Sequence, residues 1–545
     1  MRKRNYGISI FGNPGEFRGD FTRDTFDPAN HYSRVFLQQG RVSIDADFNE
    51  QVSILHHYQR LFTTAVIGPH AAPWGRPNDF EVHVKEEEFL VTRGMYFVNG
   101  LLCVNDQVRT GGALNELIGC ECEELEDGVY LIYLDAWERH LSYIEDDTMR
   151  EQALGGADTA TRARIEWRVR GKKVDLEVWE RWKREAEEAA ERGIEVDDYA
   201  LFRQIVREDL KPGSGIMRAR TKPVHRKDSD LCESDAGQGY RGKENQLYRV
   251  EICRAGSAEE ATFKWSRENS SVAFPIREIK GAVISLEEVG GGCFGLEVNH
   301  WVEIVAGDPG GHCHQCRLYQ VHEIDEAKAL VTLTKPVKDL PEASAMEGAY
   351  LRRWDQADGD EKGILVARAV AEPYELEDGV EIQFGHAEKR KIEHGPESAA
   401  RVEITEADLE VVIDDHGGKV IVNREFRYQA GDYWLIPARS ASNSIEWPSE
   451  EGKAAWLPPH GVFHHYAPLK VLVRNDSEWS AQIDTRRVIT RNWEAAKDAA
   501  GAKPAGPDRA RAMLDITDQP KSRGGRKKTS RRSKKKTTSR ASKKQ

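Results

Sequence analysis

The residues best suited to hold a metal ion stand together in one short stretch, Gly310-Gly311-His312-Cys313-His314-Gln315-Cys316. Zinc takes thiolate and imidazole ligands, four at tetrahedral angles. The C-x-x-C pair Cys313 and Cys316, with His312 and His314 interleaved, supplies such donors on one loop. No second C-x-x-C or H-x-x-x-H lies at finger spacing, so this is a half-site. In a trimer, His312 or His314 from three chains could meet on the axis and share one ion. The competing account is a Gly-rich hairpin tip whose His and Cys bind nothing. No other cofactor is expected. A second cluster, His460, His464 and His465, has Pro458-Pro459 and Gly461 around it. These break the helix that would put His460 and His464 on one face, which favours packing or hydrogen-bonding roles.

No catalytic residue emerges. The chain has 91 Asp and Glu, so carboxylate pairs arise by chance and none has neighbours that would split their pKa values. There is no G-x-S-x-G elbow, no Walker A loop and no dinucleotide fingerprint. Gly290-Gly291-Gly292 precedes Cys293 and lacks the Lys-Ser/Thr of a phosphate loop. A non-enzymatic protein is expected.

The clearest electrostatic device is the stretch 521–545, with 13 Lys and Arg and no acidic residue. Without it the net charge of -12 becomes -25, an acidic body with a cationic tail. Its centre, Arg526, Lys527, Lys528, Arg531, Arg532, Lys534, Lys535 and Lys536, would bind any polyanion in a salt-dependent way. It has no aromatic residue to stack on bases, so sequence reading is not expected. A merely solubilising tail is the plain alternative, and its composition predicts disorder.

The elements that would carry these features follow from periodicity. Residues 1–43 have Gly, Pro, Asp and Asn at short intervals and read as an extended arm. An amphipathic helix is expected within 44–75, capped by Asp45 or Asp47, with Phe48, Val52, Leu55, Phe62 and Val66 in one apolar stripe. A lone helix of that kind needs a surface to pack on, in its own β domain or in a neighbouring subunit. Phe48, Val52, Leu55 and Phe62 are the candidate assembly interface. A β domain is expected over 76–145, with a type I′ hairpin at Asn99-Gly100 and a central strand at Val129–Leu134. A helical excursion follows over 146–210, then a β connection at 211–274, a small barrel or sandwich at 275–355, a β-rich domain at 356–494 and the disordered basic tail at 495–545. The expected class is mainly β and multi-domain. No apolar run is long enough to span a membrane, and the apolar part of the N-terminus is too short for a signal peptide. The expectation is a cytoplasmic protein, until assembled or released, whose eight cysteines are reduced thiols rather than a disulfide framework.

Several blocks resemble the DUF6519 family. They include Gly19-Asp20-Phe21-Thr22-Arg23-Asp24, His31-Tyr32 and Gly40-Arg41-Val42-Ser43-Ile44-Asp45-Ala46-Asp47-Phe48-Asn49-Glu50-Gln51. Further along come Tyr133-Leu134-Asp135-Ala136-Trp137-Glu138-Arg139, Glu244-Asn245-Gln246-Leu247-Tyr248-Arg249-Val250-Glu251 and Phe263-Lys264-Trp265-Ser266-Arg267-Glu268-Asn269. Late blocks are Gly431-Asp432-Tyr433-Trp434 and Pro458-Pro459-His460-Gly461 through Leu469. The helical stretch at 172–210, the His/Cys loop and the basic tail stand outside them. The resemblance implies a protein without established chemistry that accompanies phage-tail-like contractile injection systems. The expected role is a structural, baseplate-peripheral or appendage component with other particle subunits as partners, and a homotrimer as one arrangement. A surface-carbohydrate binding or degrading protein and a polyanion binder acting through the tail are the rivals.

Overall fold

Alternation at period two builds most of the regular structure in this molecule. The computed structural model describes residues 18–489 except 86–87, 107–108, 119–124, 192–197, 207–212, 223–238, 288–294, 307–315, 339–347, 386–408, 414–418, 424–425, 451, 462 and 477. The expected tail at 495–545 therefore lies outside the described residues. The fold is mainly β, in several sheets and one closed barrel.

The longest strand, Gly128–Leu141, lies inside a four-stranded sheet between Arg162–Val174 and His465–Asn475, with Glu478–Asp484 at the far edge. Both of its faces are covered. Tyr130, Ile132, Leu134 and Ala136 enter a core shared with the N-terminal hairpins. Val129, Leu131 and Tyr133 face Trp179 and Phe202 of the helices Leu176–Glu191 and Asp198–Ile205. A run apolar at every position is what two buried faces require. The expected hairpin is formed by Gly94–Val98 and Leu101–Asn105, and both turn residues take positive φ (Asn99 44°, Gly100 83°), as a type I′ turn demands.

The central barrel closes in the order Ala273–Lys280, Val283–Leu286, Leu330–Leu333, Leu318–Asp325, Trp301–Val305 and Tyr350–Trp354, which leaves no strand edge open. Ile284, Val302, Val321, Val331 and Leu351 fill it. The chain then returns to strands laid down before the barrel. Val380–Phe384 pairs with Met217–Thr221, and Tyr433–Arg439 pairs with Gln246–Arg254. His465–Asn475 then returns to Gly128–Leu141. The linear divisions at 76–145, 211–274 and 356–494 thus share sheets, and the described residues fall in one unit, Met1–Ile489. The six barrel strands all fall within 273–354.

Two local expectations change. The first half of the 146–210 segment contains a strand, Arg162–Val174, because Ile165, Trp167 and Val169 alternate and pack onto the core. Neither Asp45 nor Asp47 caps the helix. Asp45–Ile67 (α1) starts after Ile44, which provides no side-chain cap, and the Asp45 carboxylate is taken up by the arm instead.

Candidate functional site

The arm and α1 form one substructure, built from short polar contacts. The Thr22 backbone N–H donates to Asp45 Oδ2 at 2.8 Å, and its hydroxyl donates to Oδ1. Thr25 Oγ1 donates to Glu50 at 2.6 Å, the Val35 N–H to Gln51 Oε1 at 2.8 Å, and the Phe26 ring lies 5.6 Å from that of His57. Partial burial pushes the Asp45 carboxyl up, but the Thr22 hydroxyl and amide outweigh it and hold Asp45 below its ordinary value. Asp24, in the arm, is half-buried. Burial raises its carboxyl to about 6, against the hydrogen bond from the Phe26 N–H and with help from Glu50. A small cleft between arm and helix is lined by His31, Tyr32, Glu50, His57 and Tyr58.

On its other side α1 meets the hairpin. Gly100 approaches so closely that a Cβ there would fall 2.9 Å from the Arg60 Cα, while the Arg60 guanidinium pairs with Glu138. Ala46 and Ile54 are buried, Ile54 lining the cleft beside the arm. The stripe read from the sequence lies on the opposite face. Phe48 is 72% exposed, Val52 37%, Leu55 56%, Phe62 70% and Val66 66%. The structure brings all five to one surface, which none of the described residues covers.

The root of the arm enters a buried charge cluster that sequence reasoning missed. Arg18 pairs with Glu251 at 2.8 Å and donates to Ser270 Oγ at 3.1 Å, while Asn269 Nδ2 donates to the Gly19 carbonyl at 3.1 Å. Glu251 also accepts from Arg249 Nε at 2.7 Å and lies 3.4 Å from Lys264. Lys264 reaches across to the barrel, where Glu303 accepts from it at 2.8 Å and from Trp354 Nε1 at 3.0 Å. The Arg249 guanidinium lies 3.6 Å from the Tyr433 ring centre. Burial pushes Glu251 upward, yet Arg18, Arg249 and Lys264 together hold it well below the carboxylate range. Glu303 is likewise lowered, burial being outweighed by Lys264 and Arg352. The blocks at 19–24, 244–251, 263–269 and 431–434 thus converge on one cluster, joining arm, sheet and barrel. Its geometry clamps three parts of the chain; each carboxylate is fully engaged by cations and N–H groups.

The remaining candidates are dispersed. Cys316 is bonded to Cys253 of the Gln246–Arg254 strand, so its sulfur is no thiolate ligand here, and this pair departs from the expected reduced thiols. Cys253 and Cys316 share a small buried cluster with Leu318 and Trp354 of the barrel. His312, Cys313 and His314 lie outside the described residues, as do Arg526, Lys527, Lys528, Arg531, Arg532, Lys534, Lys535 and Lys536. Among the described residues no group of three His, Cys, Asp or Glu is placed to hold a metal. His460, half-buried, exchanges backbone hydrogen bonds with Tyr433, and its imidazole is lowered to about 4 by desolvation and by Arg249. His464 Nδ1 lies 2.6 Å from Asp135 Oδ1, whose other oxygen accepts from Arg170 at 2.7 Å. Among the described residues no helix is long and apolar enough to cross a membrane.

A model for a family of unknown function, DUF6519, matches residues 17–200, 186–388 and 385–545. The match runs through the 172–210 helices, the His/Cys loop and the basic tail. No curated protein and no solved structure matches the chain.

Proposed function

The chain belongs to the DUF6519 family, and from that premise we propose that it is a structural assembly component of a larger particle, acting through α1 rather than through catalysis. The observation that supports this reading is the uncovered face of α1. Five large apolar side chains stand in water on a helix whose other face is clamped by Asp45, Glu50, Gln51 and Arg60 contacts. Exposed apolar patches of this kind mark interaction surfaces. A clamped helix also loses little conformational entropy on docking, which favours association.

The particle is of the phage-tail-like contractile type, with this chain at its baseplate periphery or an appendage. The protein is held in the cytoplasm until assembly or release, and the Cys253–Cys316 bond suits the oxidising surroundings met after release. The test replaces Phe48, Leu55 and Phe62 together by Ser and purifies the particle from the producing cell. The substituted chain, with an unchanged circular dichroism spectrum and melt, should be missing from particles that otherwise assemble. Incorporation at the normal level would refute the reading.

A further inference from the structure

The uncovered face of α1 has more order than a patch. Its residues recur at alternating steps of four and three: Phe48, Val52, Leu55, Gln59, Phe62 and Val66. That is the spacing of a coiled-coil seam, with Val52, Gln59 and Val66 at a positions and Phe48, Leu55 and Phe62 at d positions. All six are exposed. The arm adds exposed Phe36 and Leu37 just beyond Val35, the residue tied to Gln51 at the seam's border.

We propose that this seam is occupied by the α1 helix of a second copy of this chain, in parallel register. The inference rests on the assembly reading above and names the partner it leaves open. Three observations carry it. The flanking e and g positions are Asn49, Gln51, His56, Tyr58, Thr63 and Ala65, without a single Asp, Glu, Lys or Arg. Coiled coils choose foreign partners, and reject themselves, through charges at these positions. This seam carries none, so nothing in it opposes its own copy. The second is Gln59, the lone polar residue in the seam. In parallel register it faces its own counterpart and the two amides can bond each other; antiparallel, with Phe48 opposite Val66, it faces Leu55 and finds no such partner. A single polar a position is a recognised register device. The third is area. Counting about 150–250 Å² for each fully exposed aromatic, the seam with Phe36, Leu37 and Tyr58 offers on the order of 800 Å² per copy. A standard interface buries about 800 Å² per partner.

The test uses the full chain at micromolar concentration in sedimentation velocity. The wild type should sediment as a dimer. Phe62→Asp should be monomeric at the same concentration, a loss of at least about tenfold in self-affinity, with its circular dichroism unchanged because residue 62 is exposed in the monomer. Leu55→Asp provides a second variant with the same expectation. Register is read by Val52→Cys under mild oxidation. In parallel register position 52 meets itself and an interchain disulfide forms that the wild type does not give. Antiparallel, the two positions stand ten residues apart, about 15 Å along the helix. A monomeric wild type, a dimer indifferent to both Asp variants, or a dimer without the position-52 crosslink would each overturn the inference. If the wild type is monomeric and the triple Ser variant is still excluded from particles, only the second-copy assignment falls. Normal incorporation of that variant, by contrast, removes the assembly reading itself.

Discussion

Arg18 should act as the latch that holds the arm on the body, and with it the presentation of α1. Its guanidinium makes a nearly buried ion pair with Glu251 at 2.8 Å and a hydrogen bond to Ser270 at 3.1 Å. A hydrogen bond to a charged partner contributes about 1.5–3 kcal/mol and a neutral one about 0.5–1.5. Removing one member of a buried pair commonly costs more, because the other is stranded. Here Glu251 keeps Arg249 at 2.7 Å and Lys264 at 3.4 Å, so no uncompensated charge is left and the lower range applies. Arg18→Ala should therefore weaken arm docking by about 3 kcal/mol, or about a hundredfold in the docked-to-released ratio. Native-state amide exchange reads this directly, since the Thr22 and Val35 N–H groups are tied to Asp45 and Gln51 only while the arm lies in place. Both amides should exchange up to about a hundredfold faster in Arg18→Ala. Arg18→Lys should fall between, keeping the charge but not the two-armed donor geometry. The global melt should barely move, because the barrel and sheet cores do not include the arm. Unchanged protection of both amides in Arg18→Ala would refute the latch.

Asp24 predicts that arm docking depends on pH. Its carboxyl is raised to about 6 in the docked arm from an ordinary value of 3.8, so docking is favoured below about pH 4 and loses that support as pH rises through 6. Protection of the Val35 amide, which donates to the uncharged Gln51, should fall as pH rises from about 4 through 6, and Asp24→Asn should flatten the profile; a wild-type profile already flat would contradict the assignment. The Cys253–Cys316 bond closes a loop with a sequence separation of 63 that contains much of the barrel. Chain-entropy reasoning gives it about 4 kcal/mol, so Cys316→Ser should lower the denaturant midpoint measurably, and mass spectrometry of the alkylated wild type should find both sulfurs protected. Free thiols at 253 and 316 in the oxidised, purified protein would end that argument.

Alternation and turn chemistry made much of the fold legible. Val129–Leu134 reads as a central strand, Asn99-Gly100 as a primed turn, and the short strands between 275 and 355 as a small barrel or sandwich, because each pattern depends only on residues near in sequence. The stripe on α1 is legible for the same reason, since a helix repeats its faces every few residues. Which face would be free is not. Both sides of α1 carry apolar residues, and only the arm contacts at Asp45 and Glu50 and the approach of Gly100 decide that Ala46 and Ile54 are covered while Phe48 and Phe62 are left in water.

The charge cluster shows the limit more sharply. Arg249, Glu251 and Lys264 alternate with apolar residues in strands, a pattern that by itself describes a sheet with one face in solvent. The tertiary structure covers that face with Glu303 and Trp354 of the barrel and with Arg18 from the far end of the chain. Their partners come from the N-terminal arm and from the barrel, so the burial of these charges, and the meeting of Cys253 with Cys316, depend on long-range topology. Periodicity within a strand records which side chains share a face; what covers that face is set by segments tens to hundreds of residues away, whose approach leaves no local pattern.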